Sequence, residues 1–477
     1  MPHHEKPADI IDRDAQWHDL VEIWNRHAPD LIFGVGRRRA GKSWVLTRFS
    51  QSVGGIYYQA TNRTETEQLA ALSRIIGTHF EDAALLRGVA LPDWESLFQY
   101  LTDRAAGAPL LLVLDEFPYL AAAAPALPSI IQAAWDHHWP GTRLKLVLSG
   151  SHITAMQRLE HADQPLHGRR TGRLVFPPFT HEYTGDFVPA YSARDQLIAS
   201  SIFGGLPGHL ALLDPQQGLA ANVMRQMLTP SGRLFDEAQH MLDAFLGDAD
   251  IHYSIIQAIA NGERTWSRIT SRLGKRSGSI SRPMRWLEEM QVVARMVPIT
   301  EASPQRSKRT LYRITDPYVA FWHRFVAPLI ATGELSVGAP EQLWHERIAP
   351  RLDDYMGAPF EDICRSWTGR TARLPFRPSR VGAWWDANSQ NELDVVAMGL
   401  DGDILVGECK WGRVDDADLD LLRMRATRLV ADLPPDQPVR RVHYALFSGT
   451  GIWSSGVAAA ITAGDVLGFS SADLTVR

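Results

Sequence analysis

Residues 34–43 read Gly-Val-Gly-Arg-Arg-Arg-Ala-Gly-Lys-Ser and follow directly on the apolar run Leu31-Ile32-Phe33. From Gly36 to Ser43 the stretch satisfies G-x-x-x-x-G-K-[ST], a pattern typical of a loop that wraps backbone N–H groups around a polyphosphate. Lys42 is expected to reach the β and γ phosphates, and Ser43 to ligate Mg²⁺. The residues after Ser43 can start a helix whose N-terminal dipole faces the same anion. The stretch therefore predicts a nucleotide-binding loop between a strand and a helix.

All eight loop residues are predicted to contact the nucleotide: Gly36, Arg37, Arg38, Arg39, Ala40, Gly41, Lys42 and Ser43. The glycines let the backbone approach the phosphates closely. The three arginines either supplement the positive field around the phosphates or are solvated loop charges.

Residues 109–119, Pro-Leu-Leu-Leu-Val-Leu-Asp-Glu-Phe-Pro-Tyr, form a second apolar run that ends in two acids. A run of this length is typical of a strand buried on both faces of a parallel sheet. Ligands of open α/β sheets bind at the carboxyl ends of the strands, so Asp115 is expected to hold Mg²⁺ through water and Glu116 to polarise the attacking water. The next apolar run ends near Ser149 and Ser151, either of which could sense the γ phosphate or form an ordinary turn.

The first half of the chain carries five motifs in a specific order, namely 36–43, Leu-Asp-Glu-Phe-Pro-Tyr at 114–119, 149–151, 165–172 and 204–207. Together they resemble the archaeal-type ATPase family, which occurs also in bacteria and is related to the STAND class of signal-transducing NTPases. The resemblance implies an α/β fold with an AAA-like parallel-sheet core and a small helical lid, and it implies ATP as the ligand. By position, it further implies that Arg169 or Arg170 completes the nucleotide site, within one chain or on a neighbouring copy; the alternative is that both are surface arginines.

The composition sets wider bounds on the class of protein. A chain of 477 residues is expected to form about three domains, and 45% apolar with 22% charged residues is typical of a soluble globular protein. No run approaches the ~18 consecutive apolar residues of a membrane helix, and the first residues lack the apolar core of a signal peptide. We therefore expect a cytoplasmic protein without membrane contact. The two cysteines, Cys364 and Cys409, predict neither a disulfide framework nor a Cys-rich zinc site.

A basic module lies within this acidic chain. Between Asn261 and Arg313 there are twelve Lys or Arg and four Glu, a net charge of +8, whereas the whole chain carries −5. Three helical patterns, at 251–259, 265–273 and 280–290, precede two short alternating strands around the tip Gln305-Arg306-Ser307-Lys308-Arg309. Helices followed by a hairpin predict a winged helix.

As a DNA-binding module, this winged helix is expected to place Ser279, Ser281, Arg282 and Arg285 in a major groove and the tip arginines on phosphates. Winged helices also serve as protein-docking modules, and this alternative stays open. DNA and a partner protein or a second copy of the chain are thus the partners that the sequence suggests beside ATP.

The stretch 391–411 predicts two apolar strands joined around Asp401-Gly402. A two-residue loop would place Glu408 and Asp394 on opposite sides of the sheet. A three-residue loop with Gly402 in the left-handed region places Asp394 opposite Glu408 and residue 392 opposite 410. Alternation then predicts that Glu392, Asp394, Glu408 and Lys410 share one face, with Leu393, Val395, Leu405 and Cys409 on the other.

Converging carboxylates and a lysine suit metal-dependent phosphodiester cleavage. Asp394 and Glu408 would hold Mg²⁺, while Lys410 would orient water and offset phosphate charge. The spacing resembles the PD-(D/E)XK nuclease fold, which implies that Glu361 is the upstream acid. Leu393 stands where that family usually has proline.

The sequence thus predicts three domains: a P-loop ATPase with helical lid at 1–235, a winged helix at 236–335, and a restriction-endonuclease-like α/β domain at 340–477. The predicted function is an ATPase that couples nucleotide state to DNA binding and to Mg²⁺-dependent cleavage. The alternative is a regulatory ATP switch whose last domain is a binding module without catalysis.

Overall fold

The computed structural model describes residues 4–243, 249–388, 390–434 and 439–477. The three apolar runs predicted as strands in the first half of the chain form the neighbouring strands β3, β4 and β1 of one sheet. Within the described residues the strands are β1 Asp30–Val35, β2 Ile56–Gln59, β3 Leu110–Asp115, β4 Leu144–Gly150, β5 Gly172–Val175, β6 Val293–Met296, β7 Leu311–Ile314, β8 Arg380–Trp385, β9 Glu392–Met398, β10 Asp403–Lys410, β11 Arg441–Ser448 and β12 Leu467–Ser470.

Helices connect these strands and precede the second sheet. Their bounds are α1 Asp14–Asn25, α2 Lys42–Val53, α3 Glu65–Phe80, α4 Ala83–Leu86, α5 Trp94–Ala105, α6 Phe117–Ala123, α7 Leu127–His137, α8 Ile153–Arg158, α9 Thr184–Phe187, α10 Ala193–Phe203, α11 Pro207–Leu210, α12 Leu219–Val223, α13 Glu237–Asp243, α14 Ala249–Ala260, α15 Trp266–Arg272, α16 Ser281–Glu289, α17 Pro317–Phe321, α18 Ala327–Ala331, α19 Glu334–Val337, α20 Pro340–Leu343, α21 Leu352–Thr368, α22 Asp416–Asp432, α23 Ser455–Ala463 and α24 Ser471–Leu474. Short 3₁₀ turns lie at His181–Tyr183, Ser277–Ile280, Pro304–Arg306 and Ala349–Arg351, and π-helical turns at Met224–Leu228, Trp322–Val326 and Trp344–Ile348.

The first sheet is parallel throughout and has the order β2-β3-β4-β1-β5. Its central strands β1, β3 and β4 are buried along their whole length. Leu31 and Phe33 face one apolar cluster with α3 and α5, while Ile32 faces another with α1 and α2. The predicted α/β core with a parallel sheet is therefore confirmed. Its topology brings the carboxyl ends of β1, β3 and β4 to one edge.

The chain divides into two compact units. Unit 1 comprises Met1–Pro178 and Leu206–Gly208, and unit 2 comprises Phe179–Gly205 and His209–Arg477. Unit 1 contains the parallel sheet and the predicted nucleotide loop. The finer domain boundaries predicted from the sequence remain a proposal.

Unit 2 contains a helical module that ends in a hairpin. The helices α14, α15 and α16 lead into the antiparallel pair β6 and β7. Their buried residues, among them Ile255, Ile269 and Leu287, give each helix an apolar face. The element order agrees with the predicted helices and hairpin, and the assignment as a winged helix is a proposal.

The second sheet of unit 2 has the order β12-β11-β10-β9-β8. Strands β8, β9 and β10 are antiparallel neighbours, whereas β10, β11 and β12 run parallel. One face packs against α22 through an apolar cluster that includes Val406, Leu422 and Leu446. On α21, the ring of Trp367 meets Phe447 edge-on, with ring centroids 6.3 Å apart. The second sheet is thus mixed, packs against α21 and α22, and contains the hairpin that the sequence predicts.

The hairpin between β9 and β10 has the predicted three-residue loop. Gly399 N donates to Asp403 O at 2.8 Å, which closes the loop over residues 400–402, and Gly402 has φ +82°. The ladder pairs Ile404 with Met398 and ends with Gly407 paired to Val395, which is the register in which residue 394 follows opposite residue 408. The register predicted from the sequence is therefore confirmed.

The predicted alternation of β9 is wrong near Asp394. Gly382 of β8 pairs with Val396, but Trp384 pairs with Leu393, so β9 carries one extra residue there. Such a bulge reverses the side-chain alternation beyond it. As a result Leu393 lies in the same apolar cluster as Val396 and Val406, on the face where the charged residues were expected.

Among the described residues, no single helix is long and apolar enough to cross a membrane. One pair of helices, α6 and α7, meets the length and composition only when taken together, and the pair is bent by 105°.

Candidate nucleotide and carboxylate sites

The nucleotide loop lies between β1 and α2, and its backbone needs glycine at Gly36. A Cβ at Gly36 would lie 2.7 Å from the carbonyl oxygen of Phe176, too close for any side chain. Arg39 and Gly41 have positive φ angles of +67° and +86°. Gly208, directly after the 204–207 motif, donates from its N–H to Arg39 O at 3.1 Å and so supports the loop. The loop is thus held in a curved conformation typical of a phosphate cradle.

Lys42 is buried, with only 4% of its surface exposed. Its Nζ donates to Gly36 O at 2.8 Å, Arg37 O at 3.2 Å and Ser151 Oγ at 3.1 Å. Burial lowers the pKa of Lys42, and the charges of Glu116 and Asp115 oppose that effect. Lys42 therefore does not face solvent in this structure, because the loop carbonyls and Ser151 hold it.

Asp115 ends β3 and is completely buried. Its Oδ2 accepts a hydrogen bond from Ser43 Oγ at 2.5 Å and another from Tyr57 Oη at 2.6 Å, and its Oδ1 accepts one from Glu116 N at 3.0 Å. Burial, together with Asp115, raises the pKa of Tyr57, so its hydroxyl remains a donor. Two hard oxygen ligands, Ser43 and Asp115, thus lie side by side, which fits Mg²⁺.

Glu116 follows Asp115 and adopts φ +52°, a left-handed conformation uncommon for a residue with a side chain. Its carboxylate accepts hydrogen bonds from the Ser151 hydroxyl and, at 3.2 Å, from Ser151 N. Of the two serines considered from the sequence, Ser151 therefore lies at the site, whereas Ser149 is buried beside Gly34. Lys42, Glu116 and Ser151 form one connected polar cluster at the ends of β1, β3 and β4.

The two candidate arginines are held by acids of unit 1. Arg169 binds Asp136 with two hydrogen bonds, from Nε at 2.9 Å and Nη2 at 2.7 Å, and Arg170 lies 2.5 Å from Glu160. Within the described residues, neither arginine forms a hydrogen bond or ion pair with Lys42 or Asp115. A role for them in the nucleotide site stays a prediction that requires these ion pairs to open.

Three carboxylates converge in the C-terminal domain, namely Glu361 on α21 with Glu392 and Asp394 on β9. Their ligand oxygens lie within 4.8 Å of one another, as a metal site requires. Burial, followed by the charges of Glu361 and Glu408, raises the pKa of Asp394 well above its usual value. Burial also raises the pKa of Glu361 to about 6, against the opposing charges of Arg365 and Arg264. Like charges this close disfavour ionisation unless a cation joins them.

Glu408 and Lys410 are bound elsewhere, so the four predicted charges do not form one cluster. Glu408 lies 3.2 Å from Lys410 and 3.0 Å from Arg425 of α22, and Lys410 also lies 3.4 Å from Asp418. Asp394 instead accepts a hydrogen bond from Cys409 N at 2.8 Å. The bulge in β9 explains the separation, because it changes the direction of the side chains on β9 but not on β10.

The charges of the basic module fall into two groups. Six cations on α15, α16 and the turn between them are exposed and make no ion pair within the described part of the chain: Arg268, Arg272, Lys275, Arg276, Arg282 and Arg285. At the hairpin tip, Arg306 and Lys308 are exposed, but Arg309 binds Glu301 at 2.7 Å and Asp432 at 3.4 Å. The expectation that Arg309 is available to DNA phosphates is therefore wrong in this conformation.

Sequence reasoning missed residues that hold the site from neighbouring elements. Tyr57 reaches Asp115 from β2, and Arg425 reaches Glu408 from α22. Tyr57 could have been found by aligning the ends of the short run Ile56–Gln59 with those of β3, since parallel strands end at one edge. No pattern in the sequence indicates the partner of Glu408, because it depends on how α22 packs.

Comparison with known proteins matches the first half of the chain and a later segment to two different families. Residues 10–213 match the family described as "ATPase domain predominantly from Archaea", and residues 322–421 match "Archaea bacterial proteins of unknown function". An uncharacterised protein of Methanocaldococcus jannaschii is 25% identical over 427 residues, which cover 86% of this chain and 89% of that protein.

The solved structures similar to the chain include the following two. The Walker-type ATPase PABY2304 of Pyrococcus abyssi is 20% identical, with a TM-score of 0.51, and the match covers 67% of this chain and 97% of that one. The ORC2 protein of Aeropyrum pernix is 16% identical, with a TM-score of 0.43, and covers 70% of this chain and 97% of its own. The likeness to the Pyrococcus protein shows a shared Walker-type fold. Residues 10–213 thus carry an ATPase domain of the archaeal type, and residues 322–421 a domain shared with proteins of unknown function.

Proposed function

We propose that the chain binds and hydrolyses ATP with Mg²⁺ and uses nucleotide state to control a DNA-binding second unit. The observation that carries the ATPase part is the cluster at the carboxyl ends of β1, β3 and β4. It combines a phosphate loop, a buried lysine, a Ser43–Asp115 pair suited to Mg²⁺, and Glu116 next to that pair. These are the parts that phosphoryl transfer to water needs: a cradle, a metal and a group that orients water.

In this proposal Lys42 leaves its loop carbonyls for the phosphates, because a polyphosphate offers a stronger acceptor than a neutral carbonyl. Ser43 would ligate Mg²⁺, and Asp115 would hold it through water. Glu116 would polarise the attacking water, with Ser151 fixing its carboxylate. The whole chain, with and without Mg²⁺, should be tested for ATP binding by calorimetry and for phosphate release.

DNA binding is proposed for the exposed cations of α15 and α16. Six unpaired positive charges in a short segment give the sequence-independent attraction on which nucleic-acid binding depends. In this proposal Ser279, Ser281, Arg282 and Arg285 would meet base edges from α16 and the turn before it. Arg309 is better suited to holding the hairpin on the C-terminal domain, since Ile299 in the same β6–β7 connection donates from its N–H to Ala383 O at 2.9 Å.

Replacing Arg276, Arg282 and Arg285 together by Ala should weaken duplex DNA binding and lower the slope of log affinity against log salt by about 3, if each contacts one phosphate. Fluorescence anisotropy with a labelled duplex at several salt concentrations measures both quantities. The matched control removes three exposed arginines of unit 1, Arg63, Arg74 and Arg87. Equal salt slopes for the two triple variants would mean that the module docks protein instead of DNA.

A second candidate function is Mg²⁺-dependent DNA cleavage by the C-terminal domain. It is favoured by the convergence of Glu361, Glu392 and Asp394, whose mutual repulsion a divalent cation would relieve. Glu408 and Lys410 would join the site only if their ion pairs with Arg425 and Asp418 open. Without that change, the regulatory switch is the better account, and this domain then binds DNA or a partner without cutting.

Asp394→Asn separates these two accounts. The variant keeps the side-chain shape and the acceptor for Cys409 N, so the fold should persist, but it removes a metal-binding charge. If the domain cuts, wild type should nick supercoiled plasmid in Mg²⁺, and both Asp394→Asn and Lys410→Ala should lose at least ~10²-fold of that rate, the lower range for a catalytic group. Assays with and without ATP test the coupling. A wild type that binds plasmid and leaves it intact would favour the switch.

A further inference from the structure

Tyr57 lies on β2, the strand beside β3. Gln59 pairs with Asp115 and Tyr57 with Val113, so Tyr57 stands two residues before the end of its strand. Its ring packs against the apolar cluster formed with α2, which directs its hydroxyl towards the start of that helix. There the hydroxyl donates to Asp115 Oδ2 at 2.6 Å.

The Asp115 carboxylate is thus held by three donors from three segments. Ser43 at the start of α2 and Tyr57 on β2 both donate to Oδ2, and Glu116 N, after β3, donates to Oδ1. The carboxylate is inaccessible to solvent, so these donors replace the water that would otherwise solvate its charge. Rotation of the carboxylate would break the two bonds at Oδ2 together. Oδ1 accepts from Glu116 N alone among the described residues, so it keeps a lone pair for a further interaction.

We infer that Tyr57 is a positioning residue for the Mg²⁺ that accompanies the nucleotide. Its hydroxyl fixes the Asp115 carboxylate in the orientation that presents Oδ1 to the metal's water and leaves Ser43 beside the metal. This inference rests on the proposed ATPase function and assigns a residue outside the phosphate loop and the acidic pair. Outer hydrogen bonds of this kind typically change metal affinity by 10–100-fold.

Tyr57→Phe tests the inference, because it keeps the ring in its apolar cluster and removes only the hydroxyl. Binding of a fluorescent ATP analogue should be followed against free Mg²⁺ concentration. The Mg²⁺ concentration for half-maximal binding should rise about 10-fold in the variant, whereas binding in EDTA and at saturating Mg²⁺ should equal wild type. The same shift should appear in the Mg²⁺ dependence of phosphate release.

Tyr58→Phe is the matched control. Tyr58 is the next residue on β2 and points to the opposite face, where its hydroxyl donates to Gln68 Oε1, away from Asp115. Thermal unfolding without nucleotide monitors the fold of both variants. Tyr58→Phe should leave the Mg²⁺ dependence unchanged whatever it does to stability.

Each outcome decides the question. Identical Mg²⁺ curves for wild type and Tyr57→Phe would overturn the inference and leave the ATPase proposal intact. Equal shifts in both tyrosine variants would mean that β2 acts through stability, which also overturns it. A wild type that binds no nucleotide with Mg²⁺ would overturn the proposed function and this inference with it.

Discussion

Glu116→Gln is expected to keep ATP binding and to lower ATP turnover by ~10²-fold or more, the scale of a group that positions or deprotonates water. The glutamine amide can accept from Ser151 N and donate to Ser151 Oγ, so the contacts that hold Glu116 are preserved in shape. The change removes a negative charge near the phosphates. Binding should therefore be as tight as in wild type or tighter, while hydrolysis is lost.

The two readouts come from the same protein sample: calorimetric affinity for ATP with Mg²⁺, and the steady-state rate of phosphate release. Glu95→Gln is the matched control, since Glu95 is an exposed glutamate at the start of α5 in the same unit. It should change neither quantity. Equal turnover for Glu116→Gln and wild type would remove Glu116 from the reaction and point to another group beside the phosphates.

The parts of the fold that were predictable are those encoded locally. The run Leu31-Ile32-Phe33 and the loop after it specify a buried strand and a phosphate cradle, because both the apolar pattern and the glycine positions are short-range signals. The β9–β10 register follows from one left-handed glycine, Gly402. The sequence therefore sufficed for the position of Asp115 at a strand end and for the register of β9 against β10 as far as Val395 and Gly407.

What the sequence did not reveal depends on contacts between distant segments. One extra residue in β9 has no local signature, and yet it places Asp394 with Glu361 instead of with Lys410. The docking of Arg309 requires Asp432, which is 123 residues away. From the sequence, Tyr57 is indicated only as an apolar residue of a strand. Its contact with Asp115 becomes evident only when β2 is paired with β3 in register.

The burial of Lys42 is a further feature that the sequence did not reveal, and it determines which substitution tests the role of this lysine. Its Nζ is bound to two loop carbonyls and to Ser151, so truncation to alanine would leave a gap as well as unpaired acceptors. Lys42→Met retains the length of the side chain and removes only the charged donors. It therefore separates the loss of charge from the loss of volume.

Lys42→Met is expected to weaken ATP binding by about 10–100-fold, because hydrogen bonds to a charged group contribute about 1.5–3 kcal/mol each. The loss of affinity should be measured by calorimetry with Mg²⁺, the method used for Glu116→Gln. Because Glu116→Gln should keep its affinity for ATP, the two variants of one cluster should give opposite results. Thermal unfolding without nucleotide should show a folded protein. If Lys42→Met instead binds ATP as tightly as wild type, the lysine only closes the loop through Gly36 and Arg37, and the phosphates must be bound by other residues of the loop.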